Sequence, residues 1–124
     1  MITVYGYPKC TTCKKAMKFL HEHDVDVELI DIVEHTPSKE LIAAWIQSTD
    51  FPIRHFFNTS GIRYRELGLK DKVDGYTLEE ACEVLASDGM LLKRPILLKN
   101  GQFVLNGFKE QTYERMLASW KKDV

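Results

Sequence analysis

Cys10 and Cys13 are the residues whose type and spacing most directly suggest chemistry in this chain. They form a Cys-Thr-Thr-Cys motif between a short apolar run, residues 2–5, and a helical pattern of apolar residues. A thiolate is the reactive form of cysteine, and the N–H groups and dipole at a helix start stabilise an anion there. Cys10 is therefore predicted to be the nucleophile. Cys13 follows one helical turn later, so its sulfur can attack a mixed disulfide formed at Cys10.

The motif could instead bind a metal, form a structural disulfide or simply fill the core. A zinc site usually needs four ligands, and the chain adds only Cys82 and four scattered histidines, so no metal is expected. Three cysteines and no evident secretory signal suggest a reducing compartment, which disfavours a structural disulfide. Two ordinary core cysteines stay open as an alternative, because free cysteine is often buried. Cys82 lies on the apolar stripe of a predicted helix and is expected in the core.

The elements around the motif place it at a ligand-binding edge. Residues 2–5 are predicted as a strand, 6–9 as a turn, 12–23 as a helix with three- and four-residue apolar spacing, and 25–32 as a second strand. A right-handed crossover makes the two strands parallel. In parallel α/β sheets, ligands meet helix starts at the carboxyl ends of strands. Cys10 is predicted at that edge.

The rest of the chain predicts several helices, then a hairpin and a final helix. A helix start near residue 36 and a capping-box pattern at Thr77 mark two of the helices. Asn100-Gly101 is typical of a tight turn between two strands. The predicted segments are helices at 36–46, 53–57, 62–67 and 77–85, apolar runs of the hairpin at 91–92, 96–98 and 103–105, and a helix at 112–120.

Composition limits the classes of function. A chain of 124 residues with 44% hydrophobic content fits one domain, expected over 1–124, with a core that needs no metal or disulfide. A net charge of −1, from 17 basic and 18 acidic residues, argues against direct nucleic-acid or anionic-membrane binding. No apolar stretch approaches the ~20 residues of a membrane span. A cytoplasmic location is expected.

Three segments together resemble the ArsC/Spx family: residues 7–16 around the dithiol, 93–97 and 104–108. The likeness covers nearly the whole chain, and the middle is similar to a poorly characterised, ArsC-like bacterial branch. The resemblance implies an α/β, thioredoxin-like (glutaredoxin-like) fold, a βαβ…ββα core with a helical insertion at about 37–90. The family includes glutaredoxin-coupled arsenate reductases and Spx- or MgsR-type regulators that bind the RNA polymerase alpha subunit.

The resemblance also implies roles for individual residues. Cys10 matches the nucleophilic cysteine of the arsenate reductases, and Arg94 matches the arginine that precedes their proline. A guanidinium near Cys10 would lower its pKa and offer donors to an oxyanion. Pro95 resembles the cis-proline that faces the dithiol in thioredoxin folds. The residues expected to help position a substrate are Thr11, Thr12, Asn58 and Pro95.

The chain departs from the reductases at two points. They surround the oxyanion with three arginines, whereas Asn58 and the pair 106–107 stand near two of those positions here. The arginines at 54, 63 and 65 could substitute, or they could be solvated charges. The reductases also rely on one cysteine and external glutathione, while Cys13 offers an internal resolving thiol that favours a dithiol cycle.

These observations predict a thiol-disulfide oxidoreductase or arsenate-reductase-like enzyme in which Cys10 attacks, Cys13 resolves and Arg94 supports the thiolate. Its substrate is expected to be a small oxyanion or a mixed disulfide. No bound cofactor is expected, and glutathione, glutaredoxin or thioredoxin are candidate electron donors. The alternative is a redox-sensing regulator of the Spx/MgsR type that binds the RNA polymerase alpha subunit.

Overall fold

A four-stranded mixed sheet organises the chain, with strand order β2-β1-β3-β4. β1 pairs in parallel with β2 and antiparallel with β3, and β3 pairs antiparallel with β4. The computed structural model describes residues 1–122, so residues 123–124 of the predicted domain lie outside the described residues. The strands are β1 Ile2–Gly6, β2 Val27–Asp31, β3 Ile96–Lys99 and β4 Gln102–Asn106.

Within residues 1–122, five α-helices cover the two faces of the sheet. One core cluster joins β1, β3 and β4 to α1 and α5, and the other joins the opposite face to α2, α4 and the short helical turns. The helix bounds are α1 Thr11–Glu22, α2 Lys39–Gln47, α3 Ile62–Glu66, α4 Leu78–Ser87 and α5 Glu110–Lys122. The element order confirms the predicted thioredoxin-like core, and α2, α3 and α4 occupy the segment predicted as an insertion.

Side-chain alternation in the strands explains why both faces are filled. Val4 and Leu97 point to the α1 and α5 cluster, whereas Ile96 and Leu98 point to the α2 and α4 cluster. Successive strand residues face opposite sides of a sheet, so one strand contributes to two cores. The sheet therefore fixes α1, which carries the dithiol, against one face while α2 and α4 pack on the other.

Helix α1 forms where the sequence predicts it. Cys13, Ala16 and Leu20 are buried at three- and four-residue spacing and face the sheet. The capping box predicted at Thr77 is also present, since Thr77 Oγ1 accepts from the Glu80 N–H at 3.1 Å and Glu80 Oε1 accepts from the Thr77 N–H at 2.9 Å. Local sequence signals thus set both helix starts.

The predicted hairpin is confirmed in its two strands and wrong at its beginning. Asn100 and Gly101 both have positive φ, 52° and 81°, as a two-residue turn between twisted strands requires. Leu91 does not belong to a strand, because it ends a short 3-10 turn at Gly89–Leu91. Leu92 makes only an isolated bridge with Phe57. Two consecutive leucines here are buried by the insertion rather than by the sheet.

The insertion is attached through close contacts with the core. Trp45 of α2 meets Tyr5 of β1 edge-on, with ring centroids 5.5 Å apart. Gly89 lies so close to the backbone of Ile32 that a Cβ there would collide with the Ile32 carbonyl.

Within residues 1–122, no helix combines the length and apolar character needed to cross a membrane.

The buried hydroxyl of Tyr113 connects α5 to the loop after β4, donating to the Gly107 carbonyl at 2.8 Å. We expect Tyr113→Phe to lower the free energy of unfolding by about 1–3 kcal/mol, because it leaves a buried carbonyl without its donor. Urea denaturation measures the difference.

The matched control is Tyr76→Phe. Tyr76 is half-buried, and its hydroxyl makes no hydrogen bond within residues 1–122. Its loss should change the unfolding free energy by no more than about 0.5 kcal/mol. Equal unfolding free energies for wild type and Tyr113→Phe would contradict the structural role given to this hydroxyl.

Candidate functional site

Cys10 caps the amino end of α1. Its backbone is extended, with φ −77° and ψ 116°, and its Sγ accepts a hydrogen bond from the Cys13 N–H at 3.3 Å. A sulfur thus occupies the place where a side-chain oxygen usually satisfies a free helix N–H. The first turn of α1 holds no acidic side chain, so the positive end of the helix is not neutralised there. This environment favours an anionic sulfur.

The two thiols differ in access. Cys10 is half-buried, whereas Cys13 is only 3% exposed. Gly6, at the end of β1, lies beside the inner thiol, and a Cβ there would be 3.4 Å from Cys13 Sγ, an ordinary van der Waals contact. Both cysteines are free thiols. A molecule in solution therefore meets Cys10 first and reaches Cys13 only through it.

The two thiols also differ in acidity. Partial burial pushes the pKa of Cys10 up, but hydrogen bonds from the Cys13 thiol and N–H, with the positive charge of Arg94, outweigh it and bring this pKa below its ordinary value. Burial and then the interaction with Cys10 raise the pKa of Cys13 to about 12. Cys10 is thus the more acidic of the two thiols, and Cys13 holds its proton more firmly.

Arg94 is fixed beside the dithiol by backbone carbonyls. Its Nη1 donates to Met90 O at 3.2 Å and to Leu92 O at 3.3 Å, and its guanidinium carbon lies 5.9 Å from the centre of the Tyr7 ring. Its Nε is buried without a hydrogen-bond partner in the described part of the chain. The Arg94-Pro95 peptide bond is cis. The guanidinium therefore has a set position and unused donor capacity.

A cleft of about 660 Å³ opens beside Cys10. The loop after β4 and the start of α5 form one wall, and the segment around the 3-10 turn Ile53–Phe56 forms another. Asn106 crosses between the walls, with its Nδ2 donating to the His55 carbonyl at 3.0 Å. Its Oδ1 is buried and has no partner within residues 1–122. The cleft is thus built jointly by core and insertion.

The structure brings some of the predicted positioning residues together and not others. Thr12 and Asn58 line the cleft with Cys10 and Arg94, and Asn58 packs over Gly61, where a Cβ would lie 2.7 Å from its Nδ2. Thr11 is exposed and outside the cleft lining. Pro95 is buried behind the cleft, and its carbonyl accepts from the Gly107 N–H at 2.8 Å.

The arginines at 54, 63 and 65, considered for the oxyanion, do not line the cleft. Arg54 forms two hydrogen bonds with the Asp74 carboxylate, at 3.1 and 2.8 Å, and a third with the Tyr64 hydroxyl at 3.0 Å. Arg63 pairs with Glu66 and Asp88. The hypothesis that these guanidinium groups replace the missing ones is wrong for this arrangement, because carboxylates outside the cleft hold Arg54 and Arg63 elsewhere.

Lys93, Lys109 and His55 line the cleft but are not among the predicted site residues. Lys93 directly precedes the Arg94-Pro95 pair, and Lys109 directly precedes α5, so position beside recognised motifs is the signal that could have found them. Burial and then the positive charge of Lys93 lower the pKa of His55, which keeps its ring neutral at pH 7. The charge of the cleft therefore comes from its lysines and Arg94.

Known proteins resemble this chain in sequence and in fold. The sequence profile of the ArsC family matches residues 5–116. The chain belongs to the ArsC family. Its thioredoxin-like fold is shared with a crystal structure of a possible arsenate reductase from Streptococcus mutans UA159, at TM-score 0.86 and 44% identity over 92% of this chain and 98% of that one.

Two curated relatives illustrate the range of similarity. The uncharacterized protein YusI of Bacillus subtilis (strain 168) is 49% identical over 117 residues, 94% of this chain and 98% of YusI. The regulatory protein MgsR of the same organism is 29% identical over 104 residues, 84% of this chain and 81% of MgsR. The curated chains similar to this one thus include both an uncharacterized protein and a regulatory protein.

Replacing Arg94 tests the electrostatic part of the site. Arg94→Met should raise the Cys10 pKa, because it removes a positive charge that favours the thiolate. The inflection in a plot of iodoacetamide alkylation rate against pH should therefore move to higher pH, with mass spectrometry locating the adduct on Cys10. Below that inflection, the variant should react more slowly than wild type.

Arg65→Met is the matched control, because Arg65 is an exposed arginine outside the cleft lining. Its alkylation profile should overlay that of wild type. An unchanged inflection in Arg94→Met would show that the guanidinium does not stabilise the Cys10 thiolate.

Proposed function

We propose that this protein is an ArsC-family thiol-disulfide oxidoreductase that works through the Cys10-Cys13 dithiol. The observation that supports this most is the difference between the two sulfurs: Cys10 is reachable with a lowered pKa, and Cys13 is buried with a pKa of about 12. A nucleophile beside a protected resolving thiol is the arrangement that disulfide exchange needs.

In the first step, the Cys10 thiolate attacks one sulfur of a disulfide R–S–S–R. The bond between Cys10 Sγ and that sulfur forms while the original S–S bond breaks, and the second R–S⁻ leaves and takes a proton from water. Cys10 is oxidised to the level of a mixed disulfide, and the departing half of the substrate is reduced to a thiol. Arg94, held by the Met90 and Leu92 carbonyls, stabilises negative charge on the sulfurs during the exchange.

In the second step, Cys13 displaces the remaining R–S group from Cys10. Its Sγ attacks Cys10 Sγ, its proton goes to the departing thiolate, and the Cys10-Cys13 disulfide forms. Burial raises the pKa of Cys13 most, followed by its hydrogen bond and charge interaction with Cys10. Once Cys10 is in a mixed disulfide it carries no negative charge, so the interactions with Cys10 weaken and Cys13 becomes easier to deprotonate.

A complete cycle needs a reductant for the Cys10-Cys13 disulfide. Two equivalents of a monothiol such as glutathione, or one dithiol protein such as glutaredoxin or thioredoxin, supply the two electrons and two protons. Such donors are abundant in the reducing cytoplasm, the location we propose for this protein. No bound cofactor is required by either step.

Reduction of a small oxyanion such as arsenate is the variant of this function suggested by the Streptococcus mutans structure. Among residues 1–122, the cleft lining has a single guanidinium, that of Arg94, and its Nη1 already donates hydrogen bonds to two backbone carbonyls. Lys93 and Lys109 add positive charge to the cleft but lack the planar fork of donors with which a guanidinium holds an oxyanion, and each charged hydrogen bond contributes only about 1.5–3 kcal/mol. We therefore propose disulfide exchange as the principal reaction and arsenate reduction as a lesser activity.

A redox-sensing regulator that binds the RNA polymerase alpha subunit is the second candidate, supported by the likeness to MgsR and to Spx of Lactiplantibacillus plantarum, which is 27% identical over 117 residues. Closing a Cys10-Cys13 disulfide would remove the thiolate that caps α1 and so change this surface. A pull-down with the C-terminal domain of the alpha subunit should then differ between the reduced and oxidised protein. Absence of binding in both states contradicts this candidate.

Cysteine variants test the proposed exchange. With 2-hydroxyethyl disulfide as substrate and thioredoxin as donor, Cys10→Ser should reduce turnover to the background rate, because the thiol that remains in the motif, Cys13, is buried and holds its proton with a pKa of about 12. With the disulfide alone and no donor thiol present, Cys13→Ser should stop after the first step and accumulate one mixed disulfide per chain, which intact-protein mass spectrometry detects as a single added 2-mercaptoethanol group.

Cys82→Ala serves as the control, since Cys82 is buried in the core and lies outside the cleft lining. It should retain turnover. Wild-type turnover in Cys10→Ser would contradict the proposed nucleophile, and failure of Cys13→Ser to accumulate an adduct would contradict the proposed order of attack.

A further inference from the structure

The cleft beside Cys10 has a one-sided charge. Among residues 1–122, its lining includes the cations Lys93, Arg94 and Lys109 and no aspartate or glutamate, although the chain has 18 acidic residues and a net charge of −1. Within residues 1–122, none of these three cations forms an ion pair with a carboxylate. The protein as a whole is close to neutral, so this positive character belongs to the cleft itself.

Lys93 is held in the cleft wall by its surroundings. Its backbone N–H donates to the Phe56 carbonyl at 2.9 Å, and its side chain passes over Gly107, where a Cβ would lie 3.1 Å from Cε. Gly107 has φ +75° and carries no side chain that would displace the lysine. The same loop leads directly into Lys109, so the segment before β3 and the loop after β4 bring two lysines to the lining of the same cleft.

Two cations in one cleft without an anion repel each other. Burial and then the positive charge of Lys109 lower the pKa of Lys93. Such an arrangement is unfavourable in the empty cleft, and an anionic ligand relieves it. In the exchange reaction proposed above, the reacting sulfur of the disulfide lies at Cys10, so an anion bound by the lysines belongs to another part of the same molecule.

We infer that the cleft selects disulfides of small thiols that carry a carboxylate, with the carboxylate bound by Lys93 and Lys109 while Cys10 attacks the sulfur. This inference rests on the exchange reaction proposed above and adds its substrate class. The covalent step is unchanged: Cys10 Sγ bonds to the substrate sulfur, and the carboxylate-bearing thiolate leaves and is protonated. Lys93 and Lys109 act by binding, and Arg94 stays with the sulfurs.

Three disulfides of similar length test the selection: dithiodipropionate, which is anionic, 2-hydroxyethyl disulfide, which is neutral, and cystamine, which is cationic. Adduct formation on the Cys13→Ser protein is followed by mass spectrometry, and each rate is divided by the rate of the same disulfide with 2-mercaptoethanol. The corrected rate should be about tenfold higher for the anionic than for the neutral disulfide. Cystamine should be the slowest, and the preference should shrink at high salt.

Lysine variants locate the effect. Lys109→Met and Lys93→Met should each lower the anionic-to-neutral rate ratio several-fold, and the double variant should bring it close to one. Lys70→Met removes the same charge from an exposed position outside the cleft lining and should leave the ratio unchanged. Lys109 is exposed, so its variant decides the question if Lys93→Met fails to fold by circular dichroism.

The outcomes separate the two proposals. If no disulfide forms an adduct on Cys10, the proposed oxidoreductase function is wrong. If all three react but the anionic-to-neutral ratio is near one, or is the same in wild type and Lys109→Met, the exchange reaction stands and the inferred selectivity is overturned. A ratio near ten that falls in both lysine variants and persists in Lys70→Met supports the inferred site.

Discussion

The hydrogen bond from the Cys13 N–H to Cys10 Sγ is the interaction on which the site depends. It places a sulfur at the amino end of α1, where a free N–H and the helix dipole favour negative charge. It also ties the conformation of the motif to the helix itself, so the dithiol keeps its geometry as long as α1 stays packed on the sheet. Cys13, Ala16 and Leu20 provide that packing.

The remainder of the site is assembled from distant parts of the chain. Arg94 precedes β3, Asn58 belongs to the insertion, and Lys109 precedes α5. The Tyr113 hydroxyl and the Gly107 N–H hold the loop after β4 against α5 and Pro95. The cleft is therefore a product of tertiary packing, and only the capping sulfur at its edge is set by local structure.

This division explains how much the sequence could predict. Helix α1, the capped helix at Thr77 and the turn at Asn100 follow from periodicity and local chemistry, and the structure has all three. The apolar residues at 91–92 fit a strand as well as a buried turn, which is why their assignment to the hairpin is wrong. Whether such residues are buried in the sheet or against the insertion depends on how the insertion packs, and no local sequence pattern specifies that packing.

The cleft lining could be predicted only in part for the same reason. Cys10 and Arg94 belong to motifs, whereas Lys93 and Lys109 become neighbours through the pairing of β3 with β4. Residue type alone makes Arg54 a candidate ligand for an anion. Asp74 engages it instead, and a single sequence does not show which arginines already have a carboxylate partner.

The burial of Cys13 behind Gly6 has a consequence for oxidative damage. A peroxide that reaches the site meets the accessible Cys10 thiolate and converts it to a sulfenic acid. The protonated Cys13 thiol beside it can condense with that group, releasing water and closing a reversible disulfide before a second peroxide produces the irreversible sulfinic acid. The burial that keeps Cys13 a protonated thiol until Cys10 has reacted thus also protects Cys10 from irreversible oxidation.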